Sequence, residues 1–273
     1  MIRVWLAVAA LCLPLPLSAQ APESLVPPAS TPDTTATAPV QLRRAEPPSE
    51  SWTAAELEKR GDELRMEKAY ADSIDYYRAA LAKDGSAVLH NKIGIAELQM
   101  LRYDQAKREF DRAVKLNRNY AEAINNLGVI QYTRKNFKKA IRYYEKAIKA
   151  NPSFASFYSN LGTAHFARKQ YDKASAAYLK ALEIDPEIFE RRSSAGISAH
   201  LASPADRARY SYVVAKMYAM IGNSDRCLLY LRKAMEAGYA GISDVYKDEE
   251  FSQVRKDPRF TELMASKTVA VPN

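Results

Sequence analysis

Apolar side chains recur at helical spacing through most of the chain between residues 54 and 241. Asn151-Pro152 and Asp185-Pro186 mark helix ends, because proline cannot continue a helix and restricts the residue before it. The pattern therefore predicts paired amphipathic helices and an all-α fold. Its clearest stretch follows an i, i+3, i+4, i+7 spacing at Phe137, Ala140, Ile141, Tyr144, Ala147 and Ile148.

A motif within this helical region is repeated. The sequence NNLGVIQY at 125–132 returns as SNLGTAHF at 159–166, 34 residues later. We number positions within each repeat as slots, with slot 1 at its first residue. Slots 8, 20 and 27 hold small residues, which predicts close contact between two helix backbones; slot 8 holds Gly61, Gly94, Gly128, Gly162 and Ala215. The aligned repeats are 54–86, 87–120, 121–154, 155–188 and 208–241.

A 34-residue helix-turn-helix unit with Leu-Gly, aromatic, alanine and proline residues in these slots resembles the tetratricopeptide repeat family. The unit at 121–154 is close to the family consensus, whereas 208–241 is degenerate. The resemblance implies a right-handed α-solenoid of about five repeats. We expect an inter-repeat insertion at 189–207, capping helices at 242–266, since a solenoid end needs a cover, and a tail at 267–273.

The first fifty residues differ in composition from the repeats. Residues 1–21 combine an apolar run with the small-x-small triplet Ala19-Gln20-Ala21, which predicts a cleaved signal peptide; an uncleaved membrane anchor is the alternative. Residues 22–52 hold seven of the fourteen prolines, which predicts a disordered linker. We therefore expect an exported protein, periplasmic or extracellular. Cleavage removes Cys12 and leaves Cys227, so no intramolecular disulfide can form.

The sequence carries no motif that predicts catalysis. Gly-x-Ser-x-Gly, a glycine-rich phosphate loop and His-Glu-x-x-His are all absent. His90 and His165 fall at packing positions, and no ligands at metal spacing accompany His200. Glu58 and Asp62, four residues apart on one helical face, are interpreted as a solvated carboxylate pair. We expect a non-enzymatic protein without cofactor or metal.

The family resemblance also implies a concave groove in which slots 2, 5, 9, 12 and 13 of each repeat face a bound peptide, and the candidate groove residues lie at slots 5, 9 and 12. We expect apolar pockets along it, with asparagine side chains bonding to the peptide backbone. The partner is then a protein or peptide of unknown identity, bound by a scaffold in envelope or secretion-machinery assembly. The groove residues are Asn91, Ile95, Leu98, Asn125, Val129, Tyr132, Ser159, Thr163 and Phe166.

Basic residues are concentrated in the third repeat, within a chain of formal net charge +8. They form either a solvated face or a surface that docks an acidic protein or anionic lipid head groups. Nucleic acid is not expected, because the nearby aromatic residues Phe137 and Tyr144 occupy core slots rather than stacking positions. This predicted basic stripe consists of Lys135, Lys138, Lys139, Arg142, Lys146 and Lys149.

Overall fold

A computed structural model describes residues 45–189 and 204–266 of the 273-residue chain. Within these two ranges the secondary structure is helical and contains no strand. None of the helices there has the length and apolar composition needed to cross a bilayer. The α-helices are α1 (Ala54–Met66), α2 (Tyr70–Lys83), α3 (Ala87–Gln99), α4 (Tyr103–Leu116), α5 (Ala121–Thr133), α6 (Phe137–Ala150), α7 (Ala155–Ala167), α8 (Tyr171–Ile184), α9 (Pro204–Met220), α10 (Ser224–Glu236) and α11 (Pro258–Ala265).

Each repeat is a pair of contacting helices, from α1 with α2 to α9 with α10. Helices α1, α3, α5 and α7 begin at the first residue of a predicted repeat. Helix α9 begins at Pro204, ahead of residue 208, as proline at the first helical position predicts from the sequence. The predicted signal peptide, residues 22–44 of the predicted linker and the predicted tail lie outside the described residues. The same holds for 190–203 of the predicted insertion.

Slot 8 is a close contact, although it is made by an aromatic ring of the second helix rather than by that helix's backbone. A Cβ added to Gly128 would lie 2.5 Å from a ring carbon of Tyr144, and one added to Gly162 would lie 2.5 Å from Tyr178. At these two glycines only a hydrogen fits, whereas the fifth repeat has Ala215 at this slot. The alanines at slots 20 and 27, such as Ala140, are fully buried, so the small residues set the spacing between the paired helices.

The turn inside each repeat has the same backbone conformation at slot 15. Lys68, Leu101, Lys135 and Lys169 have φ values of 60° to 64°, and Gly222 has φ of 76°. This left-handed conformation closes the first helix: in the third repeat the N–H of slot 16 donates to the carbonyl of slot 11 at 2.9 Å. It is unfavourable for residues with a Cβ by about 1–2 kcal/mol, and only the fifth repeat has glycine there.

The C-terminal end of the array is covered as predicted, although by shorter elements. Three 3-10 turns, Ile242–Tyr246, Glu249–Phe251 and Val254–Lys256, precede α11. Pro258 opens α11, and the Asp257 side chain accepts from the Arg259 N–H at 3.0 Å. The apolar residues of this segment join one buried cluster with α8, α9 and α10; they include Val245, Phe251, Val254, Phe260 and Leu263.

Residues 45–52 pack against α2, so the prediction that the disordered linker extends to residue 52 is wrong in this part. The Tyr76 hydroxyl donates to the Glu46 carbonyl at 2.9 Å, and the Trp52 ring lies 5.9 Å from the Tyr76 ring. Thr53 then opens α1 with a capping box to Glu56. The segment covers the aromatic surface that the first repeat would otherwise leave at the N-terminal end.

Candidate peptide-binding face

The first helices of the repeats form one side of the array. Each second helix packs on the first helix of the next repeat, and α3 also contacts α5, as α5 contacts α7. In the part of the chain that the structure describes, neighbouring second helices, such as α4 and α6, contact each other less than α3 contacts α5. The first helices therefore lie closer together, and we call their side the inner face and the side of the second helices the outer face.

The predicted apolar pockets at slot 12 are closed by aromatic residues of the repeats themselves. Tyr132 and Phe166 are only 8% and 3% exposed. The Tyr132 ring lies 5.2 Å from the Phe137 ring, and the Phe166 ring lies 5.3 Å from the Tyr171 ring. The expectation of an exposed apolar row is therefore wrong for these side chains, because the first residue of each second helix packs over them. Two predicted apolar groove residues are half-buried instead: Ile95 and Leu98.

The predicted groove residues at slot 9 also face the interior of their own repeat. The Tyr178 hydroxyl donates to Thr163 Oγ1 at 3.2 Å. Val129, 4% exposed, shares a buried cluster with Tyr144. Slot 9 therefore contacts the second helix rather than an open groove, and a peptide-binding role for these residues stays a prediction.

Asparagine amides form a hydrogen-bonded ladder across the inner face. Asn126 Nδ2 donates to Asn91 Oδ1 at 3.0 Å, and Asn160 Nδ2 donates to Asn125 Oδ1 at 3.0 Å. Asn125 Nδ2 donates to Asn126 Oδ1 at 3.3 Å and joins the two steps, while Asn91 Nδ2 donates to the Tyr120 hydroxyl at 3.4 Å. All four amides are buried. The structure thus brings the predicted Asn91 and Asn125 into one network spanning three repeats.

Sequence reasoning missed that Asn126 and Asn160 complete this network. Both occupy slot 6, one residue after the predicted slot-5 position, and each reaches back to slot 5 of the preceding repeat. The available signal was the recurrence of a polar residue at slot 6 in adjacent repeats. Ser159, the predicted slot-5 residue of the fourth repeat, is half-buried. The slot-6 residue of the fifth repeat, Val213, carries no amide that could reach back to it.

The ladder continues as an ion pair at its N-terminal end. Lys92, at slot 6 of the second repeat, lies 2.6 Å from Glu58 Oε1 and 2.6 Å from Asp62 Oδ2. Asp62 Oδ1 also accepts from the Tyr77 hydroxyl at 2.8 Å. The interpretation of Glu58 and Asp62 as a merely solvated pair is therefore wrong, because Lys92 lies between them. We call the whole set the inner polar strip: Glu58, Asp62, Asn91, Lys92, Tyr120, Asn125, Asn126 and Asn160.

The predicted basic stripe lies on the outer face. All six side chains are exposed, and five of them project from α6. No carboxylate oxygen of the described ranges lies within 4.0 Å of a cationic nitrogen of the stripe. At the start of α6, a cleft of about 550 Å³ is lined by Lys135, Lys138 and Lys139 together with Arg168 from the end of α7. The stripe and the inner polar strip are therefore separate surfaces.

The remaining chemically reactive side chains have structural contacts. His90 Nδ1 lies 2.7 Å from Glu109 Oε2, and His165 Nδ1 lies 2.9 Å from Gln170 Oε1. Cys227 is fully buried, and this burial raises the pKa of its thiol to about 12. Among the residues described, no cluster of three or more histidine, cysteine and acidic side chains could hold a metal ion. His200 lies outside those residues.

A family model described as tetratricopeptide repeat matches residues 91–152 and 135–187. Together the two matches span residues 91–187. The resemblance inferred from the slot pattern is therefore supported over the repeats that contain the asparagine ladder. No curated protein matches the chain.

Several solved structures match this chain at low sequence identity. MamA from Desulfovibrio magneticus RS-1 is 20% identical, with 69% of this chain and 97% of that chain covered and a TM-score of 0.47. YrrB, described as a TPR protein with an unusual peptide-binding site, is 18% identical over 71% of this chain and 91% of its own, with a TM-score of 0.44. A chain of the APC/C hetero-tetramer Cut9–Hcn1 is 16% identical. That match covers 74% of this chain and 35% of the Cut9–Hcn1 chain, with a TM-score of 0.50. Only the last similarity bears on the fold, and none bears on function.

Proposed function

We propose that this chain is a non-enzymatic scaffold that binds a peptide or protein segment through the inner polar strip. Tetratricopeptide repeats generally mediate protein–protein interactions, and the matched repeats at 91–187 support that class of role. The observation that carries the proposal is the asparagine ladder, whose four buried amides follow the inner face from the second repeat to the fourth.

Amide chemistry suits the recognition of peptide backbone. A buried polar group costs free energy unless it is hydrogen-bonded, and apolar residues would pack at slots 5 and 6 without that cost. An asparagine side chain can donate two hydrogen bonds and accept two, so it can bond to both the N–H and the C=O groups of a peptide backbone. In the described network, each ladder amide donates once. The ladder residues keep 4–7% of their surface exposed, and the remaining hydrogen-bonding capacity at that edge supports binding of an extended segment through its backbone rather than through large apolar pockets.

The proposal is tested with linear twelve-residue peptides selected by phage display on the full chain. Replacing Ser159, which is half-buried at the end of the ladder, by arginine is expected to block the strip and weaken the selected peptides at least about tenfold. Methylating two backbone nitrogens of a bound peptide is expected to weaken binding by about tenfold as well, because each lost hydrogen bond contributes about 0.5–1.5 kcal/mol. Fluorescence anisotropy measures both effects.

A matched control is available on the outer face. Ser175 is half-buried on α8, so Ser175→Arg adds the same bulk and charge away from the strip. It should leave binding unchanged. Selected peptides that bind Ser159→Arg as well as the unaltered chain, or that tolerate backbone methylation, would exclude the inner polar strip as the binding surface.

We further propose that the protein is exported and acts in the assembly of an envelope or secretion complex. The support is the signal-peptide pattern at 1–21, with its Ala19-Gln20-Ala21 site, followed by the proline-rich segment. N-terminal sequencing of the protein made in its own cells should then begin at Pro22. Recovery of Arg3 in membrane-bound material would favour the anchor instead.

A further inference from the structure

Helix α6 differs in charge from its neighbours at the same outward slots. Slots 18, 19, 22, 25, 26 and 29 carry five cations and one acid on α6, three cations and two acids on α4, and two cations and two acids on α8. These repeats share one fold, so each serves as an internal reference for the others. The excess of positive charge is therefore a property of α6 and not of a solenoid outer face in general.

The neighbouring outer helices neutralise their charges locally. On α4, Lys107 Nζ lies 2.6 Å from Asp111 Oδ2, and on α8 Lys180 Nζ lies 2.6 Å from Glu183 Oε2. As noted for the stripe, no such ion pair forms on α6 within the described ranges. Unpaired cations held a few ångströms apart on one helix repel each other, and an anionic partner would relieve that repulsion.

The stripe is linear and begins in a cleft. From Lys138 to Lys149 it rises by about 16 Å at 1.5 Å per residue. At its start, Arg168 of the next repeat adds a cation beside Lys135 and Lys139, and the cleft they line holds about 550 Å³. One anionic group can therefore be held between two repeats while further anionic groups follow along the helix.

The acids that flank α6 indicate a linear partner rather than a flat one. A membrane surface would press on α4, α6 and α8 together, and would bring Asp111 and Glu183, both exposed, against anionic head groups. A single peptide chain lying along α6 avoids both. Five extended residues cover about 16 Å at 3.3 Å per residue, which is the length of the stripe.

We propose that the outer face of α6, together with the cleft at Lys135 and Arg168, binds a linear acidic peptide segment of a protein partner. This surface is independent of the inner polar strip, so the two can be occupied together. Recognition here is electrostatic, with alternate acidic side chains of the segment facing successive cations of α6.

The test uses a fluorescein-labelled (Glu-Ser)6 peptide and the full chain, with anisotropy read at 50 mM and 300 mM NaCl. The first variant, Arg142→Glu/Lys146→Glu/Lys149→Glu, reverses three cations of the stripe. The control reverses the cations at the same three slots of α4, where all three side chains are also exposed: Arg108→Glu/Arg112→Glu/Lys115→Glu. Both variants change the net charge equally, and circular dichroism checks that both are folded.

The unaltered chain is expected to bind the peptide at 50 mM NaCl and to lose at least about tenfold in affinity at 300 mM, because salt screens exposed charges. The α6 variant should lose at least about tenfold at low salt, and the α4 variant less than about threefold. Absence of binding by the unaltered chain, or equal losses in the two variants, overturns the proposal. So does cosedimentation with phosphatidylglycerol–phosphatidylcholine vesicles that depends on α6 when peptide binding does not.

Discussion

Tyr144 and Tyr178 occupy the same slot in successive repeats but differ in hydrogen bonding. The Tyr178 hydroxyl donates to Thr163 Oγ1 at 3.2 Å. In the preceding repeat the residue at the slot of Thr163 is Val129, which offers no acceptor. The Tyr144 hydroxyl is buried and has no hydrogen-bond partner among the described residues. The two repeats therefore make a matched pair in which one phenol is satisfied and the other is not.

We predict that Tyr144→Phe stabilises the protein and that Tyr178→Phe destabilises it. A buried polar group without a partner costs about 1–3 kcal/mol, and the small void left by the removed oxygen offsets part of the gain. We expect the free energy of unfolding to rise by about 1 kcal/mol for Tyr144→Phe. Tyr178→Phe removes the same atom but breaks a hydrogen bond, and should lower that free energy by about 0.5–1.5 kcal/mol.

Urea unfolding followed by circular dichroism measures both changes as shifts of the midpoint at constant slope. A change of 1 kcal/mol corresponds to about 2–4 °C in Tm for a domain of this size. The reasoning is refuted if the two variants shift the midpoint in the same direction.

A third substitution tests whether the Tyr144 hydroxyl lacks only a hydrogen-bond acceptor. Val129→Thr places a hydroxyl where Thr163 has one, and Thr163 Oγ1 donates to the carbonyl four residues earlier at 2.9 Å. The new hydroxyl can therefore donate to the Asn125 carbonyl and accept from Tyr144. In a double-mutant cycle, Val129→Thr should be more favourable beside Tyr144 than in the Tyr144→Phe background, by about 1 kcal/mol.

Alkaline unfolding gives an independent readout of the same phenol. Burial raises the pKa of Tyr144 well above its ordinary value of 10. In the unfolded chain the phenol ionises near pH 10, whereas in the folded protein it stays protonated, so its contribution to stability is present below that pH and lost as the pH rises. Tyr144→Phe should therefore make stability fall less steeply above pH 10, and an unchanged slope would show that the phenol is not buried.

Three further predictions follow from the backbone and the packing. Gly128→Ala should cost about 1–3 kcal/mol, because its Cβ would overlap the ring below it, whereas Gly85→Ala, with nothing within 4 Å, should be neutral or slightly stabilising; similar urea midpoints for the two would contradict the register. Leu101→Gly should raise the free energy of unfolding by about 0.5–1 kcal/mol, because glycine adopts the φ of 60° without strain. Gly222→Ala should lower that free energy by about 1 kcal/mol, because alanine is strained at a φ of 76°. A destabilised Leu101→Gly variant would argue against the left-handed turn. The Cys227 thiol should resist alkylation at pH 8 in the folded chain and react readily in urea, as read by peptide mapping, because burial raises its pKa to about 12; equal rates would show that it is accessible.

Much of the fold was predictable because its determinants are local or periodic. The slot-8 glycines, the small residues at slots 20 and 27 and the proline-marked helix ends recur in the sequence, and the glycines contact an aromatic ring of their own repeat. The N-terminal capping of α11 was also predictable, since Asp257-Pro258 needs only adjacent residues. These features place the helices without any knowledge of the contacts between repeats.

The predicted groove was less accurate because exposure depends on residues outside the slot itself. Tyr132 and Phe166 have the spacing of an inner-face row, yet the rings of Phe137 and Tyr171 cover them across the turn. The sequence shows both members of each pair but not their orientation. An alanine substitution at Tyr132 would therefore remove a core contact as well as a groove residue, and loss of binding in it could not be separated from loss of folding.

Polar side chains form two kinds of contact in the array, one within a repeat and one between neighbouring repeats. Within a repeat, slot 11 contacts slot 16 across the turn, as Glu97 with Arg102 at 3.6 Å and His165 with Gln170 at 2.9 Å. These pairs recur five residues apart, so they could be predicted from the sequence.

Between repeats, slot 5 accepts from slot 6 of the next repeat at three successive interfaces, first as a Glu58–Lys92 ion pair and then twice as amide pairs. An ion pair and an amide pair are not interchangeable, because Glu58 and Lys92 are both half-buried and each would lose its counter-charge if it faced an amide. The side chains of the proposed binding face thus distinguish the first of these interfaces from the next two. Between the fourth and fifth repeats the corresponding slots hold Ser159 and Val213, which cannot form such a pair because valine has no polar side chain. The ladder thus ends where the 34-residue period is interrupted.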